Sequence, residues 1–305
     1  MTAGSANPSR PGLAGPGGLA RAASRVLHAH PRLRLVGLLA APMLWLVVAY
    51  LGALLALFLT AFWTVNDFTG SVVHLWNLDN FTTLLGRSVY RTVAARSLGV
   101  ASLVTLLDAA VALPMAFYMA KVASPRAQKW LVVAILTPLW ASYLVKAYAW
   151  RVMLSSDGVI DWALGPLGLR GPGYGLPATV ITLAYLWLPY MVLPIFAGLE
   201  RIPQSMLEAS SDLGAGAGHT FRAVVAPLLL PAIVAGSIFT FSLSLGDYIT
   251  VKIVGGATQL FANVIYDNLL TANDLPFAAA AGLFPVSVMI AYLAVVRRTG
   301  ALENL

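Results

Sequence analysis

Long apolar runs leave this chain few ways to fold. Leu35 to Asn66 is 32 residues without a charge, and the span inside it starts near Leu35 and ends near Trp63. Five further runs follow. Ser97–Ala120 holds one charge, Asp108, and Trp130–Ala149 holds one, Lys146. Leu176–Leu199, Ala223–Gly246 and Leu275–Val296 hold none. These five are 20–24 residues long, against about 20 for a helix that crosses a bilayer. Lipid offers no partner to backbone N–H and C=O groups, so such segments close their hydrogen bonds internally as helices. The expectation is an all-α, polytopic membrane bundle of six transmembrane helices. Composition agrees, with 59% of residues hydrophobic and 10% charged, where soluble domains carry about 25% charge. Prolines at 114, 138, 189, 194, 231 and 285 fall inside runs and mark kinks, because neighbouring helices can satisfy the freed carbonyls.

Charge placement sets an orientation. Residues 1–34 are rich in Gly, Pro, Ala, Ser and Arg, without periodicity, and read as a disordered basic cytoplasmic tail. A secretory signal would have an apolar core of about 7–15 residues, far shorter than the first run, which is therefore expected to be a retained span. With the N-terminus inside, twelve Lys and Arg residues fall on inner segments and six on outer ones. The positive-inside rule then puts both termini in the cytoplasm, including the short tail 299–305. The discordant cluster is Arg87, Arg91 and Arg96. The net charge of +7 is spread around spans and reads as topology, not as a nucleic-acid surface. There is no cysteine, and His28, His30, His74 and His219 are dispersed, so no metal cluster is expected. The outer loops 151–175, with Asp157 and Asp161, and 247–274, with Asp247, Lys252, Asp267 and Asp274, are candidate docking surfaces for a protein.

The longest polar interruption in the second half reads Glu208 to Pro227, EASSDLGAGAGHTFRAVVAP. Pro203 suits the first turn of a helix. Met206, Leu207, Ser210 and Leu213 recur at helical spacing, and Gly214, Gly216 and Gly218 are expected to end the helix. A second helix is expected from Phe221 onward. The spacing resembles the EAA loop of ABC importer membrane subunits: EAA, three residues, Gly, nine residues, Ile, one residue, Leu-Pro. Glu208, Ala209, Gly214 and Pro227 match and Val224 stands for the isoleucine, while Ser210 and Ala226 depart. The resemblance implies that the segment 200–222 is a cytoplasmic coupling loop, with Glu208, Ala209, Ser210, Asp212, Leu213, Gly214 and Pro227 as its ATPase-coupling residues.

Other stretches are similar to spermidine/putrescine permeases. They are Asn80-Phe81-Thr82, Thr137 to Ser142 with Lys146 and Trp150, Leu154 to Gly158, Gly255-Gly256 with Asn263-Val264-Ile265, and Leu275 to Ala280. The resemblance covers residues 35–298 and is nearer the B/H-type subunit than the C/I-type. It implies a type I ABC importer permease fold in a bacterial inner membrane. It also implies a second, non-identical permease subunit, a dimeric ABC ATPase and an external solute-binding protein. Relatives for opines and phosphonates leave the solute less defined than the machine. None of Lys121, Lys129, Lys146 or Lys252 follows a glycine, so the chain has no phosphate-binding loop of the Gly-Lys-Ser/Thr kind. It is expected to bind no cofactor and to be no enzyme, with ATP and Mg on the partner ATPase.

Two rival functions fit the residues less well. An intramembrane aspartyl protease needs Tyr-Asp and Gly-x-Gly-Asp, where this chain has Leu107-Asp108 and Leu245-Gly246-Asp247 and no Pro-Ala-Leu. An ion-coupled secondary transporter would use Asp108 but leaves the Glu208 loop unexplained. The expected substrate path is Asp108, Trp140, Tyr143, Lys146, Asp247 and Tyr248. Asp108 falls near mid-span, Trp140 and Tyr143 are expected one helical turn apart, and Lys146 is expected to snorkel to the outer mouth. Acids together with aromatic faces suit a cation.

Overall fold

The computed structural model describes residues 31–66 and 68–298. The C-terminal tail 299–305 and residues 1–30 of the expected N-terminal tail lie outside them; residues 31–34, assigned above to that tail, already belong to the first helix. The described residues divide into two compact units, one ending at Leu57 and the other beginning at Phe58. The first holds α1 (Pro31–Leu46), a π-turn at Val47–Leu51 and most of α2 (Gly52–Thr60). Leu38–Thr60 is 23 residues, long and apolar enough to cross a membrane.

The second unit begins with the end of α2 and a small hairpin, β1 (Thr64–Val65) and β2 (Val72–Val73), pairing Thr64 with Val73 and Val65 with Val72. Its turn is held by Asn66, whose Oδ1 accepts the N–H groups of Phe68 and Thr69. Next come α3 (Asp79–Gly86), α4 (Ser88–Phe117) with a π-turn at Tyr118–Val122, α5 (Pro125–Trp140), α6 (Tyr143–Met153) and α7 (Val159–Leu164). The remainder is α8 (Leu176–Glu200), α9 (Gln204–Asp212), α10 (Ala217–Thr220), a π-turn at Phe221–Val225, α11 (Ala226–Leu245), α12 (Ile249–Val254), α13 (Phe261–Leu270) and α14 (Leu275–Arg298).

The core is a three-helix bundle in which α4, α8 and α11 pack on one another. On α4 the buried stripe runs Ser97, Val100, Ala101, Val104, Asp108, Ala112 and Ala116, the three-and-four spacing of one helical face. Ala112, Ala116 and Met119 meet Met191, Ile195 and Leu199 of α8 and Leu229 of α11. Two glycines let α8 and α11 approach closely. A Cβ on Gly236 would stand 2.7 Å from Met191 Sδ and 3.1 Å from Met191 Cα, and one on Gly198 would stand 2.7 Å from Ala232 Cβ. In lipid, where apolar burial gives no drive between helices, such close backbone packing is the main source of association.

One expected span is not a continuous helix. The apolar run Trp130–Ala149 predicts a single helix, but α5 and α6 meet at 95° within it. Pro138 cannot donate to a carbonyl four residues back. Directly after Trp140, Ala141 (ψ 142°) and Ser142 (ψ 135°) are extended and turn the chain. The described residues thus hold five helices long and apolar enough to span, or six if this bent pair counts as one.

Candidate functional site

Two places on the molecule carry the residues singled out by sequence, and α11 separates them by about 30 Å of helix. The first is α9. Pro203 caps it (φ −64°, ψ 141°), so the helix opens at Gln204. Its end is a Schellman closure. Gly214 sits at φ +80°, its N–H donates to Ser211 O at 2.9 Å, and the Ala215 N–H donates to Ser210 O at 3.1 Å. Of the three glycines expected to end this helix, only Gly214 does so. Gly216 caps α10, and Gly218 lies inside it. The second helix accordingly starts at Ala217, four residues before Phe221, because the Gly216 carbonyl accepts the N–H groups of His219 and Thr220.

α9 shows one buried side. Leu207 packs on the cluster of Ile202, Met119 and Val225, and the Ser210 hydroxyl bonds that of Thr220 at 2.9 Å. The departure from alanine at Ser210 therefore has a partner. Glu208, Ala209, Asp212 and Leu213 are exposed, as is Pro227. Leu213 is 88% exposed, and Met206 two helical turns earlier is exposed too. An apolar tip of this kind, rimmed by carboxylates, marks a surface for another molecule.

The second place surrounds Asp247, at the far end of α11. Its Oδ2 accepts the Tyr143 hydroxyl at 2.5 Å and the Thr250 hydroxyl at 3.0 Å, and its Oδ1 accepts the Thr250 N–H at 2.8 Å. The acid thus joins α6 to the start of α12. Burial pushes its carboxyl above the usual carboxylate range, while the bonds from Tyr143, Thr250 and the Ile249 N–H pull it back. Tyr143 stacks on Trp187 of α8, ring centroids 6.0 Å apart, and Tyr248 stacks on Tyr266 at 4.5 Å. Asp247, Tyr143, Trp187 and Tyr248 share the wall of a cavity of about 260 Å³. No sequence pattern points to Thr250 or Trp187 here. Trp187 stands alone in an apolar run and Thr250 in a short helix, and only tertiary packing brings them to Asp247.

The remaining expected path residues are elsewhere. Asp108 is 1% exposed in the α4 stripe, with Oδ2 unpartnered, and forms no part of that cavity wall. It is buried between helices of this chain. Trp140, 91% exposed at the end of α5, is parted from Tyr143 by the 95° bend, so the two do not share a helical face. Lys146 makes no ion pair with Asp108 among the described residues.

A helical membrane bundle with a short exposed helix pinned between two of its spans is the type I ABC importer permease fold. Residues 112–299 match the family described as binding-protein-dependent transport system inner membrane component, and the chain belongs to that family. The chain is 41% identical to the inner membrane ABC transporter permease protein YdcU of Escherichia coli (strain K12), over 98% of each. It is 31% identical to the spermidine/putrescine transport system permease protein PotB of the same strain, over 85% of this chain and 95% of that one. Among solved structures, one chain of a bacterial ABC transporter involved in import of the acidic polysaccharide alginate superposes with a TM-score of 0.68 at 17% identity, covering 90% of this chain and 99% of that one. This protein is a multi-pass ABC importer permease subunit, and its family is one of transport subunits, not enzymes.

Proposed function

We propose that this chain is one of two unlike permease subunits of an ATP-driven importer for a polyamine such as spermidine or putrescine. An external solute-binding protein delivers the solute, and a dimeric ATPase, holding ATP and Mg, drives the cycle. Both termini lie in the cytoplasm, and α9 is the helix that the ATPase engages. The exposed Glu208, Ala209, Asp212 and Leu213 support this, since they present one apolar tip and two carboxylates to a partner. Displacement of α9 then drives alternating access.

The observation that carries the substrate reading is the Asp247 cavity. The Asp247 carboxyl is held at the wall by three donors, and Tyr143, Trp187 and Tyr248 line the same cavity. An ammonium group is attracted by both, through an ion pair with the carboxylate and cation–π contact with the rings. An anion meets a like charge there. The identity to a spermidine/putrescine permease points the same way. Uptake of labelled putrescine and spermidine by the assembled complex in proteoliposomes tests the reading. Saturable, ATP-dependent uptake of either is expected. A complex that ignores both and carries an anion overturns the substrate reading and leaves the permease assignment standing.

A further inference from the structure

The exposed helix α9 is tied to the spans at both of its ends, and each tie leads to a π-turn. Ahead of α9, the Lys121 ammonium donates to the carbonyl of Ile202 at 2.7 Å, joining positions 81 apart in the chain. Lys121 lies in the π-turn that ends α4, where the Ala123 N–H reaches back five residues to Tyr118 O at 2.8 Å. Behind α9, the hydroxyls of Ser210 and Thr220 meet at 2.9 Å. Thr220 immediately precedes the π-turn that opens α11, closed by the Ala226 N–H on Phe221 O. Met119 from one π-turn and Val225 from the other are buried with Ile202 in one cluster, and Leu207 of α9 packs on it.

These contacts form a closed mechanical unit. Two long spans, α4 and α11, each have a π-turn at the end nearest α9. A π-turn carries an extra residue in its hydrogen-bonded loop and interrupts the regular ladder, and it is one of the places where helices kink. One ammonium, on the carbonyl just ahead of α9, and one pair of hydroxyls connect the α9 segment to both turns.

We infer that Lys121 and the Ser210–Thr220 pair are positioning residues that transmit displacement of α9 into α4 and α11 through the two π-turns. The inference rests on the proposed role of α9 as the ATPase contact. Lys121 acts as a strut: its length and charge hold the Ile202 carbonyl against the turn of α4. The hydroxyl pair keeps α9 in register with α11. The same contacts lie between the spans and α9, so stimulation of ATP hydrolysis by a loaded binding protein on the far side is expected to need them.

The test uses the complete complex in proteoliposomes. ATP hydrolysis is measured with and without the putrescine-loaded binding protein, alongside ATPase retained on the purified permease. In Lys121→Met the ATPase remains bound and stimulation by the binding protein falls at least fivefold. Lys121→Arg, which keeps the charge and a comparable reach, stays within twofold of the unmodified complex. Thr220→Val, which is isosteric and cannot disturb folding by volume, loses at least twofold. Full stimulation in both Lys121→Met and Thr220→Val overturns the inference. So does loss of the ATPase from both, which makes the residues structural. An unmodified complex that retains no ATPase at α9 removes the proposed function, and the inference with it.

Discussion

The Tyr143 hydroxyl donates to Oδ2 of Asp247 at 2.5 Å across 104 positions of sequence, and so ties the bent third span to the turn that follows α11. Tyr143→Phe removes that donor and the Tyr143–Thr250 hydroxyl contact at 2.6 Å, and leaves the two Thr250–Asp247 bonds in place. A net loss of about 1–2 kcal/mol in stability is expected, at about 1 kcal/mol for each of the two hydrogen bonds of this hydroxyl, readable as a lower melting temperature in detergent. Polyamine uptake should drop several-fold, because Oδ2 of the carboxylate loses its tie to α6. Unchanged melting and uptake would mean that the bond carries no weight.

Asp247→Asn keeps the shape and removes the charge. Putrescine uptake is expected to fall at least tenfold, the loss of about 1.4 kcal/mol of differential interaction, with assembly intact. Asp108→Asn is the paired control. Asp108 is buried in the helix interface, so the amide should leave uptake within twofold. A collapse of uptake in Asp108→Asn, with the complex still assembled, would place that acid in the path after all.

Gly214 holds φ +80°, a conformation that a β-branched side chain resists. Gly214→Val should unseat the end of α9 and abolish uptake at normal expression. Glu208→Lys reverses an exposed charge on the same helix and should weaken retention of the ATPase. Full transport in both variants would reduce α9 to a plain connection.

Orientation is open to direct labelling, since the chain has no cysteine of its own. Ser211→Cys on α9 and Ser156→Cys in the loop before α7 are both at exposed positions. Gly171 is a poorer choice, because a Cβ there would lie 2.7 Å from the Asp161 carboxylate. An impermeant thiol reagent should reach Ser211→Cys from the cytoplasm and Ser156→Cys from outside. Labelling of both from one side contradicts the topology.

Gly236 sets the spacing of α8 and α11. Gly236→Val places atoms against the Met191 backbone, which cannot give way as a side-chain tip can. Overpacking of this kind costs about 1–3 kcal/mol, and a fall in folded yield measured by size-exclusion of the purified subunit is expected. A normal yield would show that the two helices part without penalty.

Local chemistry makes the spans and the turn at Gly214 legible in the chain itself. Spans declare themselves because lipid demands some twenty apolar residues and closed backbone hydrogen bonds, both of which are local properties. The turn at Gly214 is local as well, since positive φ favours glycine. Local patterns reach their limit at Trp140 and Tyr143. A run of apolar residues reads the same whether its helix is straight or bent, and the bend after Pro138 sends the two aromatics to different surroundings. Gly216 and Gly218 mislead for a related reason: glycine permits a helix end without requiring one, and the hydrogen bonds select Gly214.

The amino-acid sequence by itself determined a bundle of apolar helices, the place of the polar helix that interrupts it, and the class of machine to which it belongs. Only the tertiary structure decided which acid lines a cavity and which does not. Asp108 and Asp247 are alike in sequence, each a lone carboxylate in or beside a span. Their exposures, 1% and 7%, differ little. What separates them is partnership: Asp247 meets Tyr143 and Thr250 from other helices beside a cavity, while Asp108 Oδ2 meets no donor. Those partners lie on different elements, and their meeting depends on the bend between α5 and α6 and on the packing of α8 against α11, which no local pattern encodes.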